Sequence, residues 1–184
     1  MTPQRLHAEL SGDVMSKAYL IGALHDATER YYTYRISQKS KGYVSLIKEM
    51  ILEMGYKAWV YREGKSREVY VVEFSKNVLV ETEIRTKQEK IDYIRGYFDA
   101  EGSVPKKKDA RMYIYFAQKN RVDLEEVRSY LEELGIHCGN IHNPSERVDS
   151  NYWRFFVSSK SYKRFAQLIG SNHPRKQAVL EMVI

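Results

Sequence analysis

The chain contains the same series of short segments twice, and this internal repeat constrains its fold more than any other feature. Four pairs of segments occur in the same order in both copies: 19–22 with 93–96, 36–39 with 116–119, 52–55 with 132–135, and 74–76 with 157–160. The first pair is offset by 74 residues and the next two by 80. Such repetition predicts two similar structural units that bury a core together. We therefore divide the chain into an N-terminal arm (1–15), a first half (16–86) and a second half (87–184), the halves forming one compact unit.

Each copy contains the same sequence of predicted elements, which gives an α+β fold. In the first half we expect a helix over 17–26, a strand over 31–39, a helix over 43–54, and a hairpin of 57–62 with 68–75 around Gly64. In the second half we expect a helix over 87–100, a strand over 111–119, a further helix, and a hairpin of 136–143 with 152–158. Thr86 and Glu89 form a predicted capping box, Asp123 is the predicted N-cap of the later helix, and Gly135 ends that helix. The offset between the two copies grows from 74 to 80 residues after the first pair of segments. This increase indicates that the second half contains an extra stretch, 104–110, between its first helix and its first strand.

Charge and composition narrow the class of partner. Lys and Arg number 30 against 24 Asp and Glu, so the formal net charge is +6, which favours a polyanion such as nucleic acid. The single cysteine, Cys138, excludes an internal disulfide and a cysteine zinc site, and the five histidines show no metal-ligand spacing. No apolar run approaches the roughly 20 residues that span a bilayer. The polar N-terminus shows no signal peptide, so we expect an intracellular, cytoplasmic protein.

One nine-residue segment carries a specific motif. Residues 94–102 read Ile-Arg-Gly-Tyr-Phe-Asp-Ala-Glu-Gly, with Gly96, Asp99, Ala100, Glu101 and Gly102 at characteristic positions. This segment closely resembles the motif that gives the LAGLIDADG homing endonucleases their name, and residues 20–28 resemble it more loosely. With two motifs, the chain over about residues 17–184 resembles the single-chain members of that family.

The resemblance implies an architecture and an activity. It implies two pseudo-twofold-related αββαββα-like halves, whose antiparallel sheets form a saddle for double-stranded DNA around two central, packed motif helices. It also implies a monomer that binds a long DNA site and cuts each strand once with Mg²⁺ or Mn²⁺. Gly22 and Gly96 would remove side chains where the helices meet, and an acid from each helix would meet the other beneath the DNA. Paired carboxylates can hold Mg²⁺, which activates water and stabilises the leaving oxygen in phosphodiester hydrolysis.

The first motif departs from the family pattern at its acidic position. Alignment of Gly22 with Gly96 places Ala27 opposite Glu101, and the nearest acid, Asp26, lies one residue early. On an ideal helix one residue corresponds to about 100° of rotation and 1.5 Å of rise. Either the last turn unwinds and delivers Asp26 to the metal site, or only Glu101 serves and cleavage is lost, slowed or limited to one strand. The candidate metal ligands are therefore Glu101, Asp26 and the backbone carbonyl of Ala27.

Two Gln-Lys pairs end the equivalent strands and complete the candidate catalytic set. Gln38 and Lys39 stand where Gln118 and Lys119 stand in the second half. In the family this position often carries residues that organise water at the scissile phosphates. A lysine there can stabilise the charge that develops as the phosphodiester breaks.

Strand alternation assigns a DNA-binding face to each half. Ile36, Tyr32 and Tyr34 are predicted to face inward in one strand, as are Met112, Ile114 and Phe116 in the other. Ala117 is predicted to face outward beside Lys119. The predicted DNA-binding residues are Tyr31, Thr33, Arg35, Ser37, Arg62, Lys65, Arg67, Lys106, Lys107, Lys108, Arg111, Tyr113, Tyr115, Arg147 and Arg154. Arginine can read guanine edges in the major groove, and lysines at a loop tip suit phosphates.

Two alternatives to a nuclease stay open at this stage. A scaffold with one acid displaced could bind a long DNA site without cutting it, or could act as an RNA-binding splicing maturase. The irregular first motif favours these alternatives. The Glu101 motif and the two Gln-Lys pairs favour the nuclease.

Overall fold

A computed structural model describes residues 16–64, 66–107 and 109–184 of the chain. The predicted N-terminal arm and two of the predicted DNA-binding lysines, Lys65 and Lys108, lie outside the described residues. No helix in the described ranges is long and apolar enough to cross a membrane.

Each half contributes helices and antiparallel strands in the same order. The helices are α1 (Lys17–Ala23), α2 (Lys41–Glu53), α3 (Lys87–Glu101), α4 (Arg121–Glu133), α5 (Tyr162–Leu168) and α6 (Pro174–Leu180). The strands are β1 (Ala27–Glu29), β2 (Thr33–Gln38), β3 (Ala58–Arg62), β4 (Tyr70–Ser75), β5 (Gly102–Ser103), β6 (Tyr115–Gln118) and β7 (Trp153–Phe156). Short 3₁₀ helices occupy Leu24–Asp26, Lys76–Leu79, Ser159–Ser161 and Glu181–Val183.

The strands form two antiparallel sheets with matching topology. The first sheet has the order β1-β2-β4-β3 and the second the order β5-β6-β7. In the second half, Cys138 and His142 make only isolated bridges, to Val157 and Arg154, at the place where the first half has β3. The predicted continuous strand over 136–143 is therefore wrong. Gly139 lies in its middle and weakens strand formation there.

Side-chain caps fix where the helices begin. Thr86 and Glu89 form the predicted capping box of α3. Ser16 and Ser40 cap α1 and α2. The predicted cap of α4 is wrong: Asn120 accepts the backbone N–H of Val122 at 3.0 Å and is the N-cap. Asp123 instead lies in the first turn.

The two strands that end in Gln-Lys are shorter than predicted. They span Thr33–Gln38 and Tyr115–Gln118, against predictions of 31–39 and 111–119. The second is short because its neighbours β5 and β7 supply only two and four residues of ladder. Ile114 nonetheless stays buried, and its carbonyl accepts the N–H of Val157 at 2.9 Å.

Each sheet covers its own apolar core, and the two cores meet at α1 and α3. The first core includes Leu20, Ile36, Ile47 and Phe74. The second includes Ile94, Phe98, Phe116, Phe155 and Phe165, and it extends to Ala18 of α1. The side-chain contacts of the central helices therefore join the two halves.

Candidate active site

Two glycines bring α1 and α3 into direct backbone contact. A Cβ atom at Gly22 would lie 2.1 Å from the carbonyl oxygen of Tyr93, and one at Gly96 would lie 2.0 Å from that of Tyr19. The contact is reciprocal, because Tyr19 and Gly22 are the repeat partners of Tyr93 and Gly96. The predicted close packing of two glycine-containing helices is thus confirmed.

Strand register shows that Asp26 and Glu101 occupy equivalent positions. β1 begins immediately after Asp26, and Ala27 pairs with Ile36. β5 begins immediately after Glu101, and Gly102 pairs with Phe116. Ile36 and Phe116 are repeat partners, so Ala27 corresponds to Gly102. The alignment that placed Ala27 opposite Glu101 is wrong.

In the first half the glycine and the acid are one residue closer in sequence than in the second half, and a tightened helical turn accounts for this difference. From Gly22 the chain reaches Asp26 in four residues, whereas it takes five from Gly96 to Glu101. The first half covers this stretch partly as the 3₁₀ turn Leu24–Asp26, while α3 stays helical through Glu101. A 3₁₀ helix has about 3.0 residues per turn and rises about 2.0 Å per residue, against 3.6 and 1.5 Å in an α-helix. The turn therefore winds more tightly, rather than unwinding, and delivers Asp26 to the strand boundary.

A glutamine from the neighbouring strand holds each carboxylate. Gln38 donates from Nε2 to Asp26 Oδ2 at 2.6 Å. Its repeat partner Gln118 donates from Nε2 to Glu101 Oε1 at 3.2 Å and, more weakly, to the carbonyl of His25 at 3.5 Å. The four side chains thus form two equivalent acid–amide pairs, one at each helix end.

Both carboxylates have raised pKa values, and the charge of Asp26 contributes to the rise at Glu101. Burial raises the pKa of Glu101 to about 7, with a further rise from the charge of Asp26, while the Gln118 hydrogen bond and Lys176 act in the opposite direction. Desolvation also raises the pKa of Asp26, against the Gln38 hydrogen bond and the charge of Lys176. Asp26 is nevertheless the more solvent-exposed of the two. Two acids with raised pKa values, one of them raised further by the charge of the other, make a site that a cation would stabilise.

The donor set suits a hard cation that keeps part of its hydration shell. The described residues contain no group of three or more His, Cys, Asp or Glu side chains arranged to hold a metal. Mg²⁺ is commonly held by one or two carboxylates, with water and substrate phosphate completing its shell. Asp26 and Glu101 fit that pattern, whereas a zinc site would need more nitrogen or sulfur ligands.

Each carboxylate lines its own cavity, and each cavity includes the predicted lysine. Asp26 lies in a cavity of about 920 Å³ with Gln38 and Lys39, and Glu101 lies in one of about 400 Å³ with Gln118 and Lys119. Both lysines are solvent-exposed, and Lys119 Nζ lies 3.8 Å from Asp149 Oδ2. The predicted catalytic residues therefore come together as two equivalent sets.

The outer face of the first sheet carries a network of charged and polar side chains. Arg35 donates to Tyr61 Oη at 2.9 Å and to Glu63 at 3.1 Å. Glu73, the β4 partner of Arg35, accepts from Thr33 at 2.6 Å and from Tyr61 at 2.8 Å. Thr33 and Arg35 thus lie on the predicted face, and the acids fix their side chains.

The predicted inward orientation of Tyr32 is wrong. Tyr32 is 75 % exposed and Tyr31 is 82 % exposed, and their rings meet edge to face with centroids 4.3 Å apart. Both residues precede β2, which begins at Thr33, so the strand alternation used for the prediction does not reach them.

The outer face of the second sheet is aromatic. Tyr113 and Tyr115 stack with centroids 5.5 Å apart. The Arg154 guanidinium lies 5.1 Å from the ring centroid of Tyr115 and 4.9 Å from that of Phe156. Its Nε is buried without a hydrogen-bond partner among the described residues. Ala117 lines the Glu101 cavity as predicted for an outward residue, yet it is almost fully buried.

The remaining predicted DNA-binding residues lie at the edges of the sheets and in loops. Ser37 lines the Asp26 cavity together with Lys106. Arg62 donates from Nε to the carbonyl of Arg67 at 3.0 Å across the β3–β4 turn. The other members of the set are solvent-exposed: Arg67, Lys106, Lys107, Arg111 and Arg147.

A buried polar cluster beneath the site was not predicted from the sequence. Asp99 accepts hydrogen bonds from Tyr19 Oη at 2.6 Å, from the backbone N–H of Asn172 at 2.9 Å and from Ser171 Oγ. Lys176, on α6, donates to the carbonyl oxygens of Phe98 and Asp99 at 2.7 and 2.9 Å. Residues 171–176 have no counterpart in the repeat, so the sequence offered no signal for their role.

The glycine contacts, the paired acids and the two antiparallel sheets together define a protein of the LAGLIDADG fold. Comparison with known proteins agrees: residues 88–170 match the family model of the LAGLIDADG-like domain. Over 95 residues the chain is 33% identical to homing endonuclease I-ApeI of Aeropyrum pernix, a match that covers 51% of this chain and 40% of the relative. The chain thus spans well under half the length of that curated relative.

Solved structures show the same fold over nearly the whole chain. The crystal structure of I-DmoI in complex with DNA and calcium superposes with a TM-score of 0.67 at 24% identity, covering 90% of this chain and 96% of that one. The N-terminal LAGLIDADG domain of WhiA superposes with a TM-score of 0.67 at 12% identity, covering 95% of this chain and 91% of that one. The predicted α+β fold with two central motif helices is confirmed.

Proposed function

We propose that this protein is a site-specific double-stranded DNA endonuclease of the homing type, which hydrolyses phosphodiester bonds with the help of Mg²⁺ or Mn²⁺. The observation that carries the proposal is the equivalence of Asp26 and Glu101, each held by a glutamine and each facing a cavity that contains a lysine. A similar protein, I-DmoI, has been crystallised with DNA and manganese, which supports the choice of partner and metal.

Asp26 and Glu101 would hold the divalent metal, with the Ala27 carbonyl as a proposed third ligand. Bound there, the metal supplies charge stabilisation and lowers the pKa of its water. The protein's own groups then act around it. Gln38 and Gln118 orient the carboxylates, and Lys39 and Lys119 place positive charge where each scissile phosphate would gain negative charge.

The two sheet faces would bind the duplex, with the whole chain acting as a monomer in the cytoplasm. The first half (16–86) and second half (87–184) would each contact one part of a long target site. Arg154, held between Tyr115 and Phe156, is suited to a guanine edge, whereas exposed Lys106 and Lys107 are suited to phosphates. Such a division separates base contacts from contacts that only position the duplex.

The proposal is tested with a supercoiled plasmid library that carries a long randomised insert, incubated with the protein and Mg²⁺. We expect linear product from a small subset of inserts. Each of the two DNA strands would meet a complete acid–amide pair, so both strands should be cut. Glu101→Gln should reduce cleavage of a selected insert at least about a hundredfold, because several kcal/mol of charge stabilisation is lost. Binding of the same insert in a gel shift should be largely retained.

Glu49→Gln is the matched control, because Glu49 is an exposed acid on α2, outside the two cavities. It should cleave at the wild-type rate. A gel shift without any product would support a non-cleaving DNA-binding protein, and a nicked circle would support a site in which one acid is inactive. Cleavage that survives Glu101→Gln would contradict the assignment of the active site.

A further inference from the structure

Negative charge is concentrated at the C-terminal end of α3. The carbonyl end of a helix carries a partial negative charge. Glu101 is the last residue of α3, and Asp26 ends the neighbouring 3₁₀ turn, so two carboxylates stand at negative helix ends. The fully buried Asp99 adds a third acid within the same turn of α3. A positive charge near this point would stabilise the ionised forms of these acids.

Lys176 supplies that charge from the last helix of the chain. Its side chain is buried, with 6 % of the residue exposed, and its Nζ lies 5.3 Å from the ring centroid of Phe98. Burial lowers the pKa of Lys176 to about 8, while the charges of Asp99, Glu101 and Asp26 oppose that shift. Its charge in turn lowers the pKa values of Asp26 and Glu101. Lys176 thus acts electrostatically on both acids of the site.

The hydrogen bonds of Lys176 indicate more than a buried ion pair. Within the described part of the chain it forms no direct ion pair with a carboxylate. Its Nζ instead donates to the carbonyls of Phe98 and Asp99, which belong to the last turn of α3. The Phe98 carbonyl also accepts the N–H of Gly102, the bond that ends the helix. Lys176 therefore holds the backbone that carries the Glu101 side chain.

The segment that carries Lys176 is itself fixed to both halves. Asp99 accepts from Ser171 and from the N–H of Asn172, and Tyr19 of α1 donates to the same carboxylate. The ring of His173 packs on Tyr43 of α2, with centroids 5.1 Å apart. Residues 171–176 therefore run beneath the end of α3 and across to the first half.

We propose that Lys176 is a positioning residue of the cleavage site, which fixes the last turn of α3 so that Glu101 faces Asp26 and balances the negative charge of that turn. The C-terminal segment 171–176 is then part of the active site, although it lies outside both repeats. The proposal rests on the nuclease function proposed above. It assigns Lys176 no contact with DNA or metal.

The test compares Lys176→Met with Lys176→Gln, which keeps a donor but no charge. For Lys176→Met we expect the cleavage rate at saturating DNA to fall about 10- to 100-fold, as befits a reacting group displaced by up to about 1 Å. DNA affinity in Ca²⁺ should stay within about twofold, because the DNA-facing side chains are unchanged. Lys176→Gln should cleave faster than Lys176→Met, because the glutamine can still donate to the carbonyls of α3. If Lys176→Met fails to fold, Lys176→Gln is measured in its place.

Hydrogen exchange gives a readout that does not depend on cleavage. The Gly102 amide should exchange at least about ten times faster in Lys176→Met, since its acceptor turn opens more readily. Arg95→Met is the matched control: Arg95 on α3 donates to the carbonyl of Ile169, but it lies six residues, or roughly 9 Å along the axis, before Glu101. It should leave Gly102 exchange and the cleavage rate near wild type.

The outcomes separate the two proposals. If the wild-type protein cleaves no insert of the library, the proposed nuclease function is contradicted. The exchange rate of the Gly102 amide then tests by itself whether Lys176 holds the end of α3. If the wild type cleaves and folded Lys176→Met cleaves equally fast with unchanged Gly102 exchange, the positioning role is overturned. An equal loss of rate in Arg95→Met would assign the effect to general destabilisation and would also overturn it.

Discussion

The two sides of the central helix pair share their glycine contacts and strand register but differ in their polar chemistry. On one side Asp99 is fully buried and is held by Tyr19, Ser171 and Asn172. On the other side His25 stands at the repeat position of Asp99. Its Nε2 lies 3.1 Å from Tyr93 Oη, the repeat partner of Tyr19, and its Nδ1 lies 3.3 Å from Asp123.

The difference follows from what covers each side. Residues 171–176 cover Asp99 and bring Lys176 with them. Burial raises the pKa of Asp99, while its hydrogen bonds to Ser171 and Tyr19 and the charge of Lys176 oppose that rise. His25 has no such cover and remains partly exposed, and desolvation lowers its pKa despite the opposing charge of Asp123. The comparison shows that the fold requires the same glycines and the same strand register in both halves, whereas the polar partners are free to differ.

The largest expected effect tests what the two sides share. Gly22→Ala and Gly96→Ala should each destabilise the protein by about 3 kcal/mol or more, because the added methyl group meets a backbone carbonyl that can move only if the helices separate. Urea denaturation followed by circular dichroism measures the loss. Gly42→Ala is the control: its Cβ meets nothing within 4 Å on α2, and stability should rise by up to about 1 kcal/mol. A large loss at only one of the two central glycines would contradict their equivalence.

An intermediate effect tests how the two sides differ. Tyr19→Phe removes a donor from the buried Asp99 carboxylate, and we expect a loss of about 2 kcal/mol, as for hydrogen bonds to charged groups. Tyr93→Phe removes a bond to a partly exposed histidine, and we expect a loss of about 1 kcal/mol or less. Both variants keep the aromatic ring, so the difference in denaturation free energy reports the hydroxyl groups. Equal losses would show that the coverage of Asp99 does not matter.

The sequence predicted the repeated parts of this molecule and little of the parts outside the repeat. The Thr86–Glu89 capping box follows from local chemistry in the second half, and the glycine after α4 and the Gln-Lys strand ends recur in both copies. The exact partner of Glu101 did not follow, because counting along one helix assumes a constant rise, and the turn Leu24–Asp26 does not keep it. Lys176 could not be predicted either, since its role arises from contacts with residues nearly 80 positions away.

The smallest expected effect is the pH dependence of stability that Glu101 causes when no metal is bound. The pKa of Glu101 in the folded protein is about 7, above its ordinary value of 4.5, so its contribution to stability falls as the pH rises from about 4.5 to about 7. Glu101→Gln lacks this titration. The variant should therefore be more stable relative to wild type at pH 8 than at pH 5, as measured by thermal denaturation in EDTA. A difference that does not change with pH would mean that Glu101 ionises normally.

The tightened turn before Asp26 has a consequence for how such chains tolerate changes in length. Because the position of the acid follows from the pairing of Ala27 with Ile36 downstream, a residue deleted within the preceding turn need not displace it. A switch of this turn between α-helical and 3₁₀ conformation can absorb the insertion or deletion of one residue. Searches for related sequences that demand a fixed spacing from the glycine to the acid will therefore overlook members whose geometry is intact.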